Sequence, residues 1–193
     1  MKIVCVHYGT KYPVEYVNKL NSMVKRHSDA ELVCITDSFE GKDKDITLYQ
    51  GDPCFEGWWA KIQLFKPEFL KGERFLYLDL DVVITDDISS ILERKEKFVT
   101  IKDWIYDTYN SSAMLMTGGE HGHVYDLFIK DKEKMMKVFP QGDQQLVTSY
   151  VKADGFFSRE DFSSFRMDSN EGSPTGKIVI FHGRPNPHEI TEG

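Results

Sequence analysis

The sequence has little cysteine and no long apolar segment. Its three cysteines, Cys5, Cys34 and Cys54, form no close pairs, which argues against a disulfide framework or a zinc site and favours a reducing compartment. No stretch approaches the roughly 20 apolar residues of a membrane-spanning helix, and the first apolar run is too short for a signal peptide. We therefore expect a cytoplasmic protein without a transmembrane segment. Peripheral contact with a membrane surface stays open.

The chain also lacks an excess of positive charge. Its 24 Lys and Arg residues stand against 31 Asp and Glu residues, which gives a formal net charge of −7. Because nucleic-acid affinity comes largely from basic side chains, the sequence predicts no nucleic-acid partner. The length of 193 residues and the apolar fraction of 40% are typical of one globular domain, which we expect over residues 1–193 with an irregular tail after residue 185.

The alternation of strand-like and helix-like segments predicts an α/β fold. Two β-branched apolar runs, residues 2–7 and 31–36, are typical of buried strands, and apolar residues recur between them at helical spacing from Val14 to Val24. A strand, a helix and a strand in this order indicate a mixed, mainly parallel sheet flanked by helices. Further strands are expected at 46–49, 75–78, 82–84, 98–101, 113–116 and 178–181, further helices at 58–69, 122–134 and 143–151, and a loop at 159–177.

Two carboxylates, Asp79 and Asp81, stand where the most strand-like run ends. Side chains two residues apart in an extended chain point to the same side, so these two can share one cation. Oxygen ligands suit a hard divalent ion such as Mg²⁺ or Mn²⁺, which keeps positions open for substrate phosphates. Solvated aspartates at a strand end are the plain alternative, and spacing alone leaves both interpretations open. Placing two like charges at the usual ligand edge of an α/β sheet favours the ion.

The residues around this pair resemble a known family. Residues 75–85 (FLYLDLDVVIT), followed by the acidic helix start at 86–92, are similar to the Asp-x-Asp strand of GT-A glycosyltransferases, specifically the glycogenin and lipopolysaccharide galactosyltransferase family (glycosyltransferase family 8-like). Four more stretches fall in that family's order, at 59–62, 109–113, 142–146 and 181–183. The resemblance implies a GT-A, Rossmann-like domain. It also implies a metal-dependent enzyme that moves a hexose from a nucleotide-sugar, a UDP-sugar, to an unknown hydroxyl acceptor with retention.

The resemblance further implies a donor site built from three groups of side chains. The metal ligands for Mn²⁺, or Mg²⁺, would be Asp79, Asp81 and His182. The residues at the donor sugar and the reacting face would be Lys61, Asn110, Asp143 and Gln144. The residues at the phosphates and the base would be Lys61, Arg184, His7, Tyr8, Thr10 and Tyr12, of which the last matches a tyrosine that stacks on the uracil.

Plainer explanations exist for several of these residues. Lys61 can be a helix lysine whose stem covers an aromatic neighbour, Asp143 a helix N-cap and Asn110 a turn residue. His7 and Thr10 can equally be turn residues before a helix. A lone histidine after a buried strand, such as His182, is more often a core or turn residue than a ligand.

Two other functions remain open. A phosphatase of the haloacid dehalogenase type also has an apolar strand followed by Asp-x-Asp, but Asp79 lies far from the N-terminus for that fold. The family's closing motif is compressed here to His-Gly-Arg-Pro at 182–185, which leaves open a GT-A-like protein that binds the nucleotide without transfer. Trp58 and Trp59 are most simply core residues, although an exposed one could form a stacking platform for a sugar.

Overall fold

A computed structural model describes residues 1–169 and 174–190. The main sheet comprises β1 Lys2–His7, β2 Glu31–Thr36, β3 Thr47–Gln50, β4 Arg74–Leu78, β6 Val99–Lys102, β7 Tyr109–Thr117 and β8 Gly155–Phe156. These strands lie in the order β3–β2–β1–β4–β7–β6–β8. All neighbours pair in parallel except β7, which runs against both β4 and β6. The prediction of a mixed, mainly parallel sheet is confirmed.

Helices cover the sheet and connect its strands. They are α1 Glu15–His27, α2 Ser89–Leu92, α3 Gly122–Lys130, α4 Lys132–Val138, α5 Asp143–Tyr150 and α6 Phe165–Asp168. The helix predicted at 122–134 is divided at Asp131, whose carboxylate caps α4 by accepting from the Lys134 N–H at 3.1 Å. In the ranges that the structure describes, no helix has the length and apolarity to cross a membrane.

The helix predicted at 58–69 is a 3-10 helix, Gly57–Phe65. Its buried side chains Trp59, Ile62 and Phe65 recur every third residue, which is the period of a 3-10 helix, in which residues i and i+3 lie on the same face. The helix ends ahead of Pro67, which lacks the N–H that a longer helix would need. The tight winding also places Trp58 and Lys61, three residues apart, on the same face.

A second, smaller sheet contains β5 Val82–Ile84, β9 Phe162–Ser164 and β10 Ile178–Ile180, in the order β5–β10–β9. The loop predicted at 159–177 is therefore wrong where β9 and α6 occur. Phe162 anchors this segment because it is buried and its ring lies 4.6 Å from that of Phe157. Residues 170–173 of the predicted loop lie outside the described residues.

The described part of the tail also has regular structure. Pro187–Glu189 form a 3-10 turn, in which the Glu189 carboxylate accepts from the Asn186 N–H at 2.6 Å. His188 hydrogen-bonds through Nδ1 with the hydroxyl of Tyr16 on α1. These contacts order part of the tail that the sequence predicts to be irregular. Residues 191–193 lie outside the described residues.

Side chains of the central strands alternate between two apolar cores, one on each face of the main sheet. On β4, Leu76 and Leu78 join the core that contains α1, whereas Phe75 and Tyr77 join the core of the 3-10 helix, α3 and α5. Asp79 continues the row of Phe75 and Tyr77, because residues two apart in a strand share a face. The topology thus turns this carboxylate toward the 3-10 helix.

The chain order in the sheet reverses between β1 and β4, since β2 and β3 lie on one side of β1 and β4 on the other. A crevice at the carboxyl ends of parallel strands forms at such a switch point. The antiparallel β7 begins at the same edge, where the Asp79 N–H donates to the Ser112 carbonyl at 2.9 Å. Residues at the start of β7 therefore lie beside those at the end of β4.

Candidate functional site

A cleft of about 560 Å³ opens at this switch point. Its walls come from the loop after β1, the 3-10 helix, the segment after β4, the start of β7 and the start of α5. The sequence-predicted site residues that line it are His7, Tyr8, Tyr12, Lys61, Asp79, Asp81, Asn110, Asp143, Gln144 and His182. The fold thus gathers into one cleft residues that are far apart along the chain.

Lys61 lies at the centre of the cleft floor. Its ammonium Nζ is 3.0 Å from Asp79 Oδ1, 3.1 Å from Asp79 Oδ2 and 3.6 Å from Asp143 Oδ2. It also donates to Ser111 Oγ at 3.3 Å. Only 14% of the Lys61 side chain is exposed, so this lysine is not a surface residue that merely covers an aromatic ring.

The charges on the floor compensate one another. Burial disfavours the ammonium of Lys61, but attraction to Asp143 and Asp79 outweighs burial and raises the lysine pKa above its ordinary value. Burial raises the pKa of Asp143, and Lys61 opposes that rise. The charged form of Lys61 is therefore stabilised by the two carboxylates, and that of Asp143 by Lys61.

Asp143 begins α5 without acting as its cap. The N-cap is Gly142, which has a φ of +87° that favours glycine, and Asp143 is only 4% exposed. Among the described residues, Asp143 Oδ2 accepts no hydrogen bond and has only the ion pair with Lys61. A buried carboxylate oxygen with free acceptor capacity beside a polar cleft is suited to a ligand hydroxyl.

Asp81 occupies the next position along the cleft. Burial, and then the charge of Asp79, raise its pKa to about 6, although the Tyr12 hydroxyl stabilises the charged form by donating to Oδ2 at 2.6 Å. The predicted role of Tyr12, stacking on a base, is not tested by this contact. The contact does show that Tyr12 and Asp81 share one wall.

Asn110 is fixed by a local irregularity in β7. The pairing of β7 with β6 passes from Thr100–Met114 to Ile101–Asn110, so β7 bulges here, as strands often do beside active sites. The Asn110 side chain donates to Asp103 Oδ2 at 3.2 Å and accepts from the Ser112 N–H at 3.0 Å. Asn110, for which a turn residue was the plainer alternative, lies instead in this bulged start of β7.

The loop after β1 places two further predicted residues. His7 is buried and its Nε2 lies 3.0 Å from the Tyr12 carbonyl. The Tyr8 hydroxyl donates to Gln63 Oε1 at 3.1 Å, and burial raises the Tyr8 pKa to about 12. These contacts tie the loop to its own turn and to the 3-10 helix.

His182 lines the cleft and has other partners. Its Nε2 lies 2.5 Å from Ser164 Oγ, and its ring stacks on Trp104 with centroids 5.5 Å apart. Burial lowers the His182 pKa, so the imidazole is neutral at pH 7. Among the described residues, no three His, Cys, Asp or Glu side chains are clustered as a metal site. Coordination by His182 stays a prediction.

Two predicted residues lie outside this lining. Thr10 is exposed in the loop after β1. The side chain of Arg184 is 86% exposed and lies 3.6 Å from Glu189 Oε1. Arg184 lines a neighbouring cavity that shares Lys11, Tyr12 and Asp81 with the cleft, so it is placed near the predicted donor site, at its outer side.

A divalent cation fits the donor set of the cleft. Asp79, Asp81 and Asp143 line it together with the ammonium groups of Lys61 and Lys11, which leaves the carboxylates in excess. The raised pKa of Asp81 reflects burial and the charge of Asp79, which a bound cation would offset. Asp79 and Asp81 are the residues that would hold the ion, with His182 as a third ligand if it leaves Ser164.

Sequence reasoning did not single out Tyr77 and Ser111, and it left Trp58 open between a core residue and a stacking platform. The Tyr77 hydroxyl donates to Asp79 Oδ1 at 2.5 Å, and the signal was a tyrosine two residues before an aspartate in a buried strand, on the same face. Ser111 holds Lys61 and has no comparable signal. Trp58 is 57% exposed at the cleft, where the simplest prediction was a core residue, whereas Trp59 is buried as predicted.

Solved structures of glycosyltransferases share this architecture. The glycosyltransferase GlyE of Streptococcus pneumoniae superposes with a TM-score of 0.74 at 14% identity, over 100% of this chain and 57% of that chain. The galactosyltransferase LgtC, solved with donor and acceptor sugar analogues, gives 0.67 at 12% identity over 97% and 89%. The bifunctional glycosyltransferase WbbM gives 0.60 at 10% identity over 96% and 46%.

No family model and no curated protein matches the sequence. This chain spans little more than half the length of GlyE. The low identities make the likeness one of fold, and it extends over nearly the whole chain. The comparisons give a glycosyltransferase fold. The sequence resemblance is thus confirmed at the level of architecture: the chain has the fold of GT-A glycosyltransferases such as LgtC.

Proposed function

We propose that this protein is a metal-dependent glycosyltransferase that moves a hexose from a nucleotide-sugar, a UDP-sugar, to a hydroxyl acceptor with retention. One observation carries the proposal. Three residues predicted from separate segments meet at the switch point of a glycosyltransferase fold, where the carboxylates of Asp79 and Asp143 both lie within 3.6 Å of Lys61 Nζ. An amphipathic lysine and an N-cap aspartate, the plain alternatives, would not converge in this way.

The reaction breaks the bond between the anomeric carbon and the diphosphate and forms a bond from that carbon to the acceptor oxygen. The acceptor loses a proton, and the leaving diphosphate gains negative charge. When bound, a divalent cation supplies Lewis-acid stabilisation of that charge. The excess of carboxylates over ammonium groups in the cleft explains why a diphosphate needs a cation here, since the bare cleft would repel it.

The residues of this chain hold and orient the donor in this proposal. Asp79 and Asp81 would hold the cation that binds the donor diphosphate. Lys61 and the Tyr77 hydroxyl fix the position of Asp79. Lys61 adds a point charge toward the phosphates. The free acceptor atom of Asp143 takes a sugar hydroxyl. Asn110, held by Asp103, and Gln144 at the start of α5 line the same side.

A thermal-shift screen of nucleotide-sugars with and without Mn²⁺ tests the proposal. A donor that binds the folded chain raises the melting temperature, and the rise should require the metal. The stabilising compounds are then assayed for release of the nucleotide, alone and with candidate acceptors. Metal-dependent stabilisation followed by turnover supports the transferase. Stabilisation without turnover supports the binding protein that lacks catalysis, and stabilisation by no nucleotide contradicts both.

A further inference from the structure

Trp58 is the one aromatic side chain of the cleft that is more than half exposed among the described residues. Its neighbour Trp59 is 6% exposed and stacks on Phe128 with ring centroids 5.0 Å apart. Leaving the large apolar ring of Trp58 in water forgoes the free energy that its burial would provide. The outward position of Trp58 therefore needs an explanation other than core packing.

The indole of Trp58 is held by its surroundings. An added Cβ at Gly142 would lie 2.7 Å from Trp58 Nε1 and 3.0 Å from Trp58 Cε2, so the ring rests against the backbone at the entry to α5. Gly142 also has a φ of +87°, and this glycine leaves the space that the indole fills. A large ring with few rotatable bonds, held at one edge, is a preorganised contact surface.

The position of Trp58 relative to Lys61 separates two levels of the cleft. The two residues are three apart on a 3-10 helix and share a face, about 6 Å apart along its axis. Lys61 is only 14% exposed and contacts Asp79 and Asp143, which places it on the floor of the cleft. Trp58 is 57% exposed and lies against Gly142, which places it at the mouth. Gln141 and Gln144, close to Gly142 in the chain, line the same cleft. In the proposed function the donor takes the floor, which leaves the mouth to the second substrate.

We propose that Trp58 is the acceptor platform and that the acceptor is a saccharide, whose pyranose ring lies its apolar C–H face on the indole. The inference rests on the proposed function for the assignment to the acceptor. The chemistry of the cleft supports it, since a flat aromatic surface in a cleft that Gln141 and Gln144 also line matches a ring with one apolar face and a hydroxyl rim. A serine hydroxyl on a peptide has no such face.

Fluorine NMR on the full chain labelled with 5-fluorotryptophan tests this platform. The protein has three tryptophans, and the spectrum of Trp58→Phe assigns the Trp58 resonance. The probes are methyl β-D-glucopyranoside, methyl β-D-galactopyranoside and lactose, with sorbitol as an acyclic polyol, each with and without UDP and Mn²⁺. We expect the ring saccharides to shift the Trp58 resonance in a saturable manner while the buried Trp59 stays unchanged.

Saturation-transfer NMR of the sugar protons measures the affinity in variants. Trp58→Ala should weaken binding of the ring saccharides about tenfold and Trp58→Phe about threefold, as expected for loss of a whole or partial stacking surface. The matched control is Phe39→Ala, which removes a half-exposed aromatic ring outside the cleft lining. It should leave the saccharide affinity unchanged.

The outcomes separate this inference from the proposed function. If UDP with Mn²⁺ binds but no ring saccharide shifts Trp58, or sorbitol shifts it equally, the platform is wrong and the donor site stands. If the saccharides shift Trp58 but UDP never binds, the platform stands and the nucleotide-sugar function is wrong. If a UDP-sugar shifts Trp58 when UDP alone does not, the indole contacts the donor sugar and the acceptor assignment is wrong.

Discussion

The two walls of the cleft are built in different ways. On the wall of the 3-10 helix, β4 and α5, Lys61 joins Asp79 and Asp143 in a buried group of charges. On the wall of the closing segment, His182 is paired with Ser164 from β9, and Arg184, just outside the cleft lining, is almost fully exposed. The first wall is placed by regular elements that pack in the core, and the second by contacts among short segments. The first is therefore preorganised for a ligand, and the second must rearrange to coordinate a metal.

The largest expected effect tests the first wall. Lys61→Met should lower the free energy of unfolding by about 3 kcal/mol, because it leaves the buried Asp143 and the partly buried Asp79 without their cation. It should also reduce donor turnover by at least ~100-fold. Chemical denaturation and nucleotide-release assays give the two values.

Two further variants make the Lys61 test specific. Lys66→Met removes an exposed lysine from the residue after the same helix and should have little effect. Adding Asp143→Asn to Lys61→Met should recover part of the lost stability, since it removes one uncompensated charge. A Lys61→Met protein as stable as the wild type would show that the group of charges does not hold this wall together.

The next effect separates metal binding from folding. Asp81→Ala should abolish Mn²⁺-dependent turnover, by at least ~100-fold, and leave the fold intact because it relieves repulsion with Asp79. Asp86→Ala, which removes an exposed carboxylate a few residues later, is the matched control. Turnover at the wild-type level in Asp81→Ala would remove Asp81 from the metal site.

His182→Ala tests whether the second wall takes part in the site. If His182 is a ligand, the variant should weaken Mn²⁺ binding in the presence of UDP by about tenfold or more. Wild-type affinity should fall as the pH drops through the His182 pKa, which burial lowers from its usual value near ~6.5. The variant should lose the part of that fall that comes from His182 and keep the part that comes from Asp81, whose pKa is about 6.

Calorimetry at pH values on both sides of this range measures the Mn²⁺ affinity. His123→Ala removes an exposed histidine and controls for general effects of the substitution. If His182→Ala changes stability but not Mn²⁺ affinity at any pH, the contacts with Ser164 and Trp104 are its whole role, and the two walls differ in function as well as in construction.

The difference between a wall built from regular elements and a wall built from short segments also explains which features the sequence predicts. The strands are found because apolar runs such as 2–7 and 75–78 are dictated by burial in the sheet, and Asp79 follows from the end of such a run. Sequence alone could not decide between a ligand and a surface lysine at Lys61, because the partners that decide it, Asp79 and Asp143, are distant in the chain and meet only through tertiary packing.

The errors have physical causes as well. The 3-10 winding of Gly57–Phe65 changes which face each residue takes, so a helical interpretation of 58–69 could not show that Trp58 is exposed and Trp59 buried. The strand β9 lies in a polar segment where Phe162 is the anchor, and three residues give too short a pattern to detect. The position of His182 depends on this strand through Ser164, and it could not be derived from the sequence.

The smallest expected effect is the loss of stability that the ionised Asp81 causes in the folded protein when no cation is bound. The Asp81 pKa is about 6 in the folded protein, against a usual 3.8, so the folded state binds more protons than the unfolded chain between these values. The free energy of unfolding should therefore fall as the pH rises from about 4 to about 6. Asp81→Asn keeps an acceptor for the Tyr12 hydroxyl and carries no charge, so its melting temperature at pH 7 without metal should exceed that of the wild type by ~2–6 °C, with little difference near pH 3.

Melting curves from pH 3 to pH 8, with and without Mn²⁺, measure this difference, and Asp86→Asn serves as the control for loss of an exposed carboxylate. Mn²⁺ should stabilise the wild type and have a much weaker effect on Asp81→Asn, because one of its two carboxylate ligands is gone. The order of stability would then reverse when the metal is added. Parallel pH profiles for the wild type and Asp81→Asn would mean that Asp81 ionises in the folded protein as readily as a surface aspartate. The charge of Asp81 would then not destabilise the fold in the absence of a cation.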